Sequence, residues 1–312
     1  MIAMVNELAK YPRPLHFENR EDKEGPKILR RRVDKENQTF SLFKVNPLNP
    51  IIGAEIEGVD LAKPLTPQLR EELNEALLEW KVIFFRKQDI TSEQQIAFAR
   101  NFGDLEVHPF YHAPEGRQKE VIQFNRNKIQ KGFENIWHSD VSFRKEPAKA
   151  AILRLIKVPP VGGDTLWADM GAAYDNLPDK VKVQIDTLQG LHDFTPSFSH
   201  LMSPEELLKR QKEFPAVAHP IVRTHPETGR KLLFVNPSFT TRIIGLDDDE
   251  SEELLQFLFR QTHIPEYQVR FHWEPHSIAF WDNRATQHYA VSDYYPYERL
   301  AERVTIAGGS PY

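Results

Sequence analysis

The segment Ile136-Trp-His-Ser-Asp-Val-Ser142 places His138 and Asp140 two positions apart. On an extended backbone that spacing points both side chains to one face, where an imidazole nitrogen and a carboxylate oxygen can grip one divalent ion. A third ligand must arrive from elsewhere in the chain. His288, in Trp281-Asp-Asn-Arg-Ala-Thr-Gln-His288, is the leading candidate and is expected just after a strand. Two His and one carboxylate on one side of an ion leave its other side open, as non-haem Fe(II) requires for oxygen chemistry. The same set also suits a hydrolytic zinc site. The chain holds 12 His, so a His-x-Asp pair arises easily by chance, and the choice turns on whether an organic co-substrate is also bound. With no Cys in the sequence, thiolate zinc sites, iron–sulfur clusters, disulfides and thiol catalysis are excluded.

A second constellation is cationic. Arg299 and Arg303 lie on Glu298-Arg-Leu-Ala-Glu-Arg-Val-Thr-Ile-Ala307. If the latter part of this run is a strand, a separation of four keeps both guanidiniums on one face. Arginine binds carboxylates and other oxyanions bidentately and keeps its charge when buried, which suits it to anchoring an anionic ligand. Thr165, in Gly162-Gly-Asp-Thr-Leu-Trp167, could add a hydroxyl donor. Taken alone, the pair also fits two surface arginines on an edge strand, balanced by Glu298 and Glu302.

These groups need a scaffold. The 312 residues suit one large domain with insertions, and 40% hydrophobic with 27% charged residues is an ordinary globular balance. Forty basic against 45 acidic residues give a net charge of −5, which argues against a nucleic-acid partner. No apolar run approaches the ~18 residues of a membrane span, and Met1 to Pro14 lack a secretory pattern, so a cytoplasmic enzyme is expected. Residues 1–40 read as a charged, flexible extension and 41–312 as the domain. Ile51 to Val59 suggests a strand pair broken by Gly53 and Gly58. Thr66 to Trp80 reads as a helix capped by Thr66, and a second helix starts at Thr91 with a capping-box arrangement and runs to about Phe102. Strands are expected at Lys81 to Phe85, Val121 to Phe124, Ala150 to Ile156 and Thr165 to Ala168. Between about 169 and 265 the pattern turns helical (Ala172 to Leu188, Pro204 to Phe214, Asp248 to Gln261) with few strands. Strands return at Tyr267 to Trp273, Ser277 to Trp281 and Glu302 to Ala307. Strands before and after a helical insertion predict an α+β chain with a β core: a double-stranded β-helix, or jelly roll, flanked by helices.

Six segments then converge on a family: Trp137-His-Ser-Asp-Val141, Gly162-Gly-Asp-Thr-Leu-Trp167, His219-Pro-Ile-Val-Arg-Thr-His-Pro226, Phe234-Val-Asn236, Thr240-Thr-Arg-Ile243 and Trp281-Asp-Asn-Arg-Ala-Thr-Gln-His-Tyr-Ala290. Together the chain resembles the taurine dioxygenase family of Fe(II)- and 2-oxoglutarate-dependent oxygenases, from about Asn46 to Gly309. The resemblance implies that His138, Asp140 and His288 bind Fe(II), and that Thr165 and Arg299 hold the distal carboxylate of 2-oxoglutarate while its keto-acid end chelates the metal. It implies that Arg303 faces a substrate sulfonate, with His108, Tyr111, Val141, Phe198 and Phe239 also contacting substrate. The implied reaction consumes O2 and hydroxylates the carbon next to the sulfur of a small organosulfonate such as taurine, releasing sulfite and an aldehyde with succinate and CO2. Glu134 stands where taurine-cleaving members carry Asn; a one-residue shift in the loop would let the neighbouring Asn135 restore the amide, and otherwise Glu134 changes the amine end of the pocket. Within the family, an alkylsulfatase acting on sulfate esters and a phenoxyacetate-type oxygenase are the alternatives. Outside it stand a zinc hydrolase and a non-catalytic module. A homo-oligomer is expected from the relatives.

Overall fold

The computed structural model describes residues 26–30, 40–111, 116, 118–129 and 134–312. Most of the extension expected over residues 1–40 therefore lies outside the described residues. Of that stretch, residues 26–30 rest on the domain: the Ile28 N–H donates to Asn176 Oδ1 at 3.0 Å, and Arg30 makes two 2.9 Å bonds to the Asp175 carboxylate.

In chain order the first half comprises β1 (Lys44–Pro47), β2 (Ala54–Glu57), α1 (Pro67–Trp80), β3 (Val82–Phe85), α2 (Ser92–Ala99), β4 (Leu105–Glu106), β5 (Val121–Arg126), β6 (Ala150–Lys157) and β7 (Thr165–Asp169). Thr66 caps α1 by accepting from the Leu69 N–H, and Pro67 sits in its first turn. Thr91 and Gln94 form a reciprocal capping box on α2, which ends at Ala99 rather than Phe102. The pair expected over 51–59 is one strand, β2, bounded by Gly53 and Gly58, both at positive φ. Its antiparallel partner is β1. Each glycine reverses the chain where a Cβ is disfavoured, so the strand stops there.

The next segment is α3 (Met170–Asp175), α4 (Asp179–Ile185), β8 (Gln189–His192), α5 (Thr195–Phe198), α6 (Pro204–Glu213), β9 (Val217–Pro220), β10 (Val222–Thr224), β11 (Lys231–Leu233), β12 (Thr240–Ile243) and α7 (Asp248–Phe259). Two expectations are corrected here. The helix anticipated over Ala172 to Leu188 is two helices, because Pro178 lacks an N–H and disfavours helical backbone at Leu177. The region is also richer in strands than its pattern suggests: β12, β8 and β9 form one small sheet and β10 pairs with β11.

The chain closes with β13 (Gln268–Phe271), β14 (Ile278–Asp282), β15 (Thr286–Ala290) and β16 (Arg299–Ile306). The large sheet runs β1-β2-β3-β14-β6-β16-β4, with β5 also on β16, and a smaller sheet runs β13-β7-β15. Strand alternation explains how they pack. Val82, Phe84, Ala151, Leu153, Leu155, Ala279 and Trp281 face the small sheet's Trp167, Val269 and Phe271. Phe84 stacks on Phe271 at 3.9 Å, and Trp167 meets Trp281 edge-on at 5.9 Å. The intervening residues, Ile83, Phe85, Ile152, Ile278 and Phe280, turn to the opposite face under Leu73, Leu77, Ile96 and Phe98 of α1 and α2. Two facing sheets with helices on one outer surface are the jelly roll expected from the sequence. Each large side chain fully buried in these layers stabilises the fold by about 1.5–3 kcal/mol.

Behind the site, His192 of β8 is fully buried, with Nδ1 3.0 Å from Ser142 Oγ. Burial, reinforced by neighbouring His219, pushes its pKa down to about 3. The folded state thus keeps His192 neutral where the unfolded chain, titrating near ~6.5, takes up a proton. Its contribution is fully present above about pH 6.5 and declines as pH falls toward 3. Urea unfolding between pH 6 and 4 should therefore lose up to about 1.4 kcal/mol per pH unit through this group. In His192→Gln that slope should shrink by up to one proton; an unchanged slope would show that His192 is not the group responsible.

Candidate active site

The metal-type residues are assembled by strand pairing. β15 lies antiparallel to β7, with His288 opposite Trp167. His138 forms an isolated bridge with His288, its N–H donating to His288 O at 3.1 Å and its carbonyl accepting the His288 N–H at 2.8 Å. The two rings consequently sit with centroids 4.1 Å apart. His288 is inside β15, not merely after a strand as the sequence suggested, because the turn between β14 and β15 is only three residues long. One ligand atom from each of His138, Asp140 and His288 lies within 4.8 Å of the others.

Protonation states complete this picture. His138 Nδ1 donates to Ile136 O at 2.8 Å, which leaves Nε2 as the lone-pair nitrogen. Burial lowers the pKa of His138, and burial together with His138 places His288 well below the usual imidazole range. Burial would raise Asp140, but Arg303 first, then the two histidines, outweigh it and hold the carboxyl at about 2. Two neutral imidazoles and an ionised carboxylate are the protonation states that metal binding requires. Asp140 Oδ2 and His288 Nδ1 are buried without a protein partner, so the donor set fits a divalent cation.

Beside this set lies a cavity of about 360 Å³, lined by all eleven residues singled out in the sequence: His108, Tyr111, His138, Asp140, Val141, Thr165, Phe198, Phe239, His288, Arg299 and Arg303. Arg299 and Arg303 are buried on an interior strand, not exposed on an edge. The register irregularity between β16 and β6 skips Ile156 of β6, so β16 keeps its own alternation and both guanidiniums stay on the cavity side. Arg299 Nε donates to Gly163 O at 3.3 Å, and Thr165 Oγ1 accepts from Trp273 Nε1 at 3.0 Å, leaving the hydroxyl hydrogen to donate elsewhere. The turn before Thr165 needs glycine. Gly162 has φ +80°, and a Cβ there would fall 2.5 Å from Asp293 Oδ1, the atom that accepts the Gly163 N–H.

Arg303 Nη1 donates to Asp140 Oδ1 at 2.7 Å, and its guanidinium lies 5.2 Å above the Phe124 ring. His108 Nδ1 accepts the N–H groups of Phe110 and Tyr111 at 3.1 and 3.2 Å, so its ring hydrogen is on Nε2. Phe198 and Phe239 stack with centroids 6.1 Å apart and line the cavity beside His108 and His138. Sequence reasoning missed Arg126 and Tyr294, which also line the cavity. Arg126 lies directly across from Arg299 on β5 and is ion-paired with Glu134. Arg126 lies two residues beyond the strand expected over Val121 to Phe124, and only the longer β5, Val121–Arg126, brings it into the sheet.

A jelly roll with two His and one carboxylate grouped beside a cavity that also holds a buried threonine and two buried arginines is the arrangement of a class of oxidoreductase, the non-haem iron oxygenases that consume a keto acid. Residues 44–305 match the model of the Taurine catabolism dioxygenase TauD, TfdA family, and the chain belongs to that family. It is 38% identical to an alpha-ketoglutarate-dependent sulfate ester dioxygenase of Pseudomonas putida, covering 86% of this chain and 90% of that one. It is 35% identical to an alkylsulfatase of Acinetobacter baylyi, covering 88% and 87%. A crystal structure of a putative alpha-ketoglutarate-dependent taurine dioxygenase from Burkholderia xenovorans superposes with a TM-score of 0.76 at 39% identity, covering 86% of this chain and 94% of that one. The protein is thus a 2-oxoglutarate-dependent dioxygenase whose cofactors are Fe(II) and 2-oxoglutarate (alpha-ketoglutarate). Among the described residues no helix is long and apolar enough to cross a membrane.

Proposed function

We propose that His138, Asp140 and His288 hold the iron, that Thr165 and Arg299 hold the distal carboxylate of 2-oxoglutarate, and that the enzyme oxidatively cleaves short alkyl sulfate esters. Bound iron supplies O2 activation at the expense of the keto acid, which leaves as succinate and CO2. One oxygen atom goes to succinate and the other to the carbon bearing the sulfate. The resulting α-hydroxy ester collapses: the C–O bond to sulfate breaks with its electron pair leaving on sulfate, the hydroxyl loses its proton to solvent, and an aldehyde remains.

The observation that carries this reading is the charge pattern of the cavity. The cavity is lined by the Arg303 guanidinium, whose Nε has no protein partner, and by the imidazole of His108, both suited to a monoanionic SO3 group. The Glu134 carboxylate, which a substrate ammonium would need as its partner, is already neutralised by Arg126, and Tyr111, Phe124, Phe198 and Phe239 give the cavity aromatic walls. An uncharged alkyl tail is accommodated there at less desolvation cost than an ammonium. The sulfate ester activities of two relatives at 35% and 38% identity agree with it. A small sulfonate such as taurine, the substrate the motifs suggest, is the second reading, favoured by the short wall that Phe198 and Phe239 make.

Purified enzyme with Fe(II), 2-oxoglutarate and O2 should be offered hexyl sulfate, hexanesulfonate, taurine and phenoxyacetate, with sulfate, sulfite, phenol and succinate measured separately. Hexyl sulfate is expected to exceed taurine in kcat/KM by at least about tenfold, the equivalent of ~1.4 kcal/mol. Sulfite from taurine as the dominant product would overturn the sulfate ester assignment.

A further inference from the structure

The geometry points to Asn283 as a positioning residue for the metal centre, acting through the backbone of Asp140. Asn283 lies in the short turn between β14 and β15 and is fully buried. Its Oδ1 accepts the Asp140 N–H at 2.7 Å, and its Nδ2 donates to Asp140 O at 3.1 Å and to Ala148 O at 3.0 Å. One amide thus grips the ligand residue at both its N–H and its carbonyl, as a partner strand would. The turn is itself fixed. Asp282 accepts the N–H and Nε of Arg284 at 2.9 Å, and its carbonyl accepts Thr286 Oγ1 at 2.8 Å. Asn283 therefore links Asp140 rigidly to the strand that carries His288.

What this grip opposes is visible one residue on. Val141 has φ +48°, a left-handed conformation in which a β-branched residue is an outlier. Such a conformation persists only where its surroundings over-determine it. On the other side of Val141, Ser142 Oγ is held by Asn236 Nδ2 at 2.9 Å and by His192 Nδ1 at 3.0 Å. With both flanks pinned, Val141 faces the cavity and Asp140 turns its carboxylate toward His138 and His288. Released from Asn283, the 140–141 peptide would relax to negative φ and swing the carboxylate off that direction. The inference rests on the metal assignment above and adds to it the group that aims the carboxylate.

The test begins with the metal-free, unsubstituted enzyme. The Asp140 amide should exchange with solvent deuterium as slowly as the His288 amide in β15; exchange at loop rates would overturn the proposal whatever any variant does. Asn283→Asp keeps the size and the acceptor but removes both donors. Its Co(II) affinity, measured by calorimetry on folded protein, should fall about 10- to 100-fold, with an altered Co(II) absorption spectrum and more succinate formed per substrate consumed. A purely structural role would lower the melting temperature while leaving affinity, spectrum and that ratio at the unsubstituted values, and this result would also overturn it. Failure of the unsubstituted enzyme to bind Co(II) at all would instead remove the metal assignment, and this inference with it.

Discussion

Asp140→Ala is expected to reduce substrate-dependent succinate formation to background, a loss of at least about a thousandfold, and to abolish stoichiometric Co(II) binding. Asp140 is the anionic member of the three-residue set, and its carboxylate is ionised far below neutral pH. Two neutral imidazoles cannot replace the Coulombic part of its hold on a dication. The substitution has a second consequence that separates this site from an ordinary ligand loss. Arg303 Nη1 lies 2.7 Å from Asp140 Oδ1, both side chains being under a tenth exposed, so removing the carboxylate leaves a buried guanidinium without its counter-charge. Breaking such a pair costs about 3–5 kcal/mol. Asp140→Ala should therefore also melt earlier, whereas Asp140→Glu, which keeps the charge, should recover much of the stability while remaining impaired in turnover. Calorimetric metal titration, thermal unfolding and a succinate assay on the same preparations check all three expectations. Robust turnover by Asp140→Ala would show that the carboxylate is not a ligand.

How much of this was legible in the sequence depended on whether a feature has a period. The strand alternation that sends Phe84 to one core and Phe85 to the other follows from successive apolar residues, and so does the helical stripe of Leu73, Ala76 and Leu77. His138 and Asp140 declared themselves by a spacing of two, Arg299 and Arg303 by a spacing of four. Lys231–Leu233 and Gln189–His192 lack the continuous apolar run that marks Val82–Phe85, so nothing in the surrounding helical texture signals them as strands. Leu177-Pro178 is the local signal that splits the helix expected over Ala172 to Leu188. Asn283 and Arg126 belong to a different kind of omission. An amide that bonds a backbone across the fold, or a guanidinium at the end of an apolar run, acquires meaning only when β14 and β15, or β5 and β16, are brought together. The left-handed Val141 is likewise imposed by tertiary contacts against the preference of its side chain.

Arg303→Lys should depress kcat/KM for the organosulfur substrate by about 10- to 150-fold, the effect of ~1.5–3 kcal/mol for lost hydrogen bonds to a charged group, while binding of 2-oxoglutarate stays within a few fold of normal. The guanidinium has five N–H donors in a fixed plane and commits Nη1 to Asp140, while its Nε is buried without a partner. It can hold the Asp140 carboxylate with one edge and present further donors to an SO3 group. An ammonium is a compact point charge that cannot span both in the same geometry, so the substituted side chain would satisfy Asp140 or the substrate but not both at once. The keto acid should be indifferent, because its proposed anchor is separate: Arg299 is set by Gly163 O, and Thr165 by the Trp273 indole. Anaerobic titration of 2-oxoglutarate into the Fe(II) enzyme, set beside initial rates against hexyl sulfate, separates the two arginines. Slow succinate formation without substrate should survive in Arg303→Lys and disappear in Arg299→Ala. The converse pattern would exchange the two roles and place the substrate anion at the Thr165 end of the cavity.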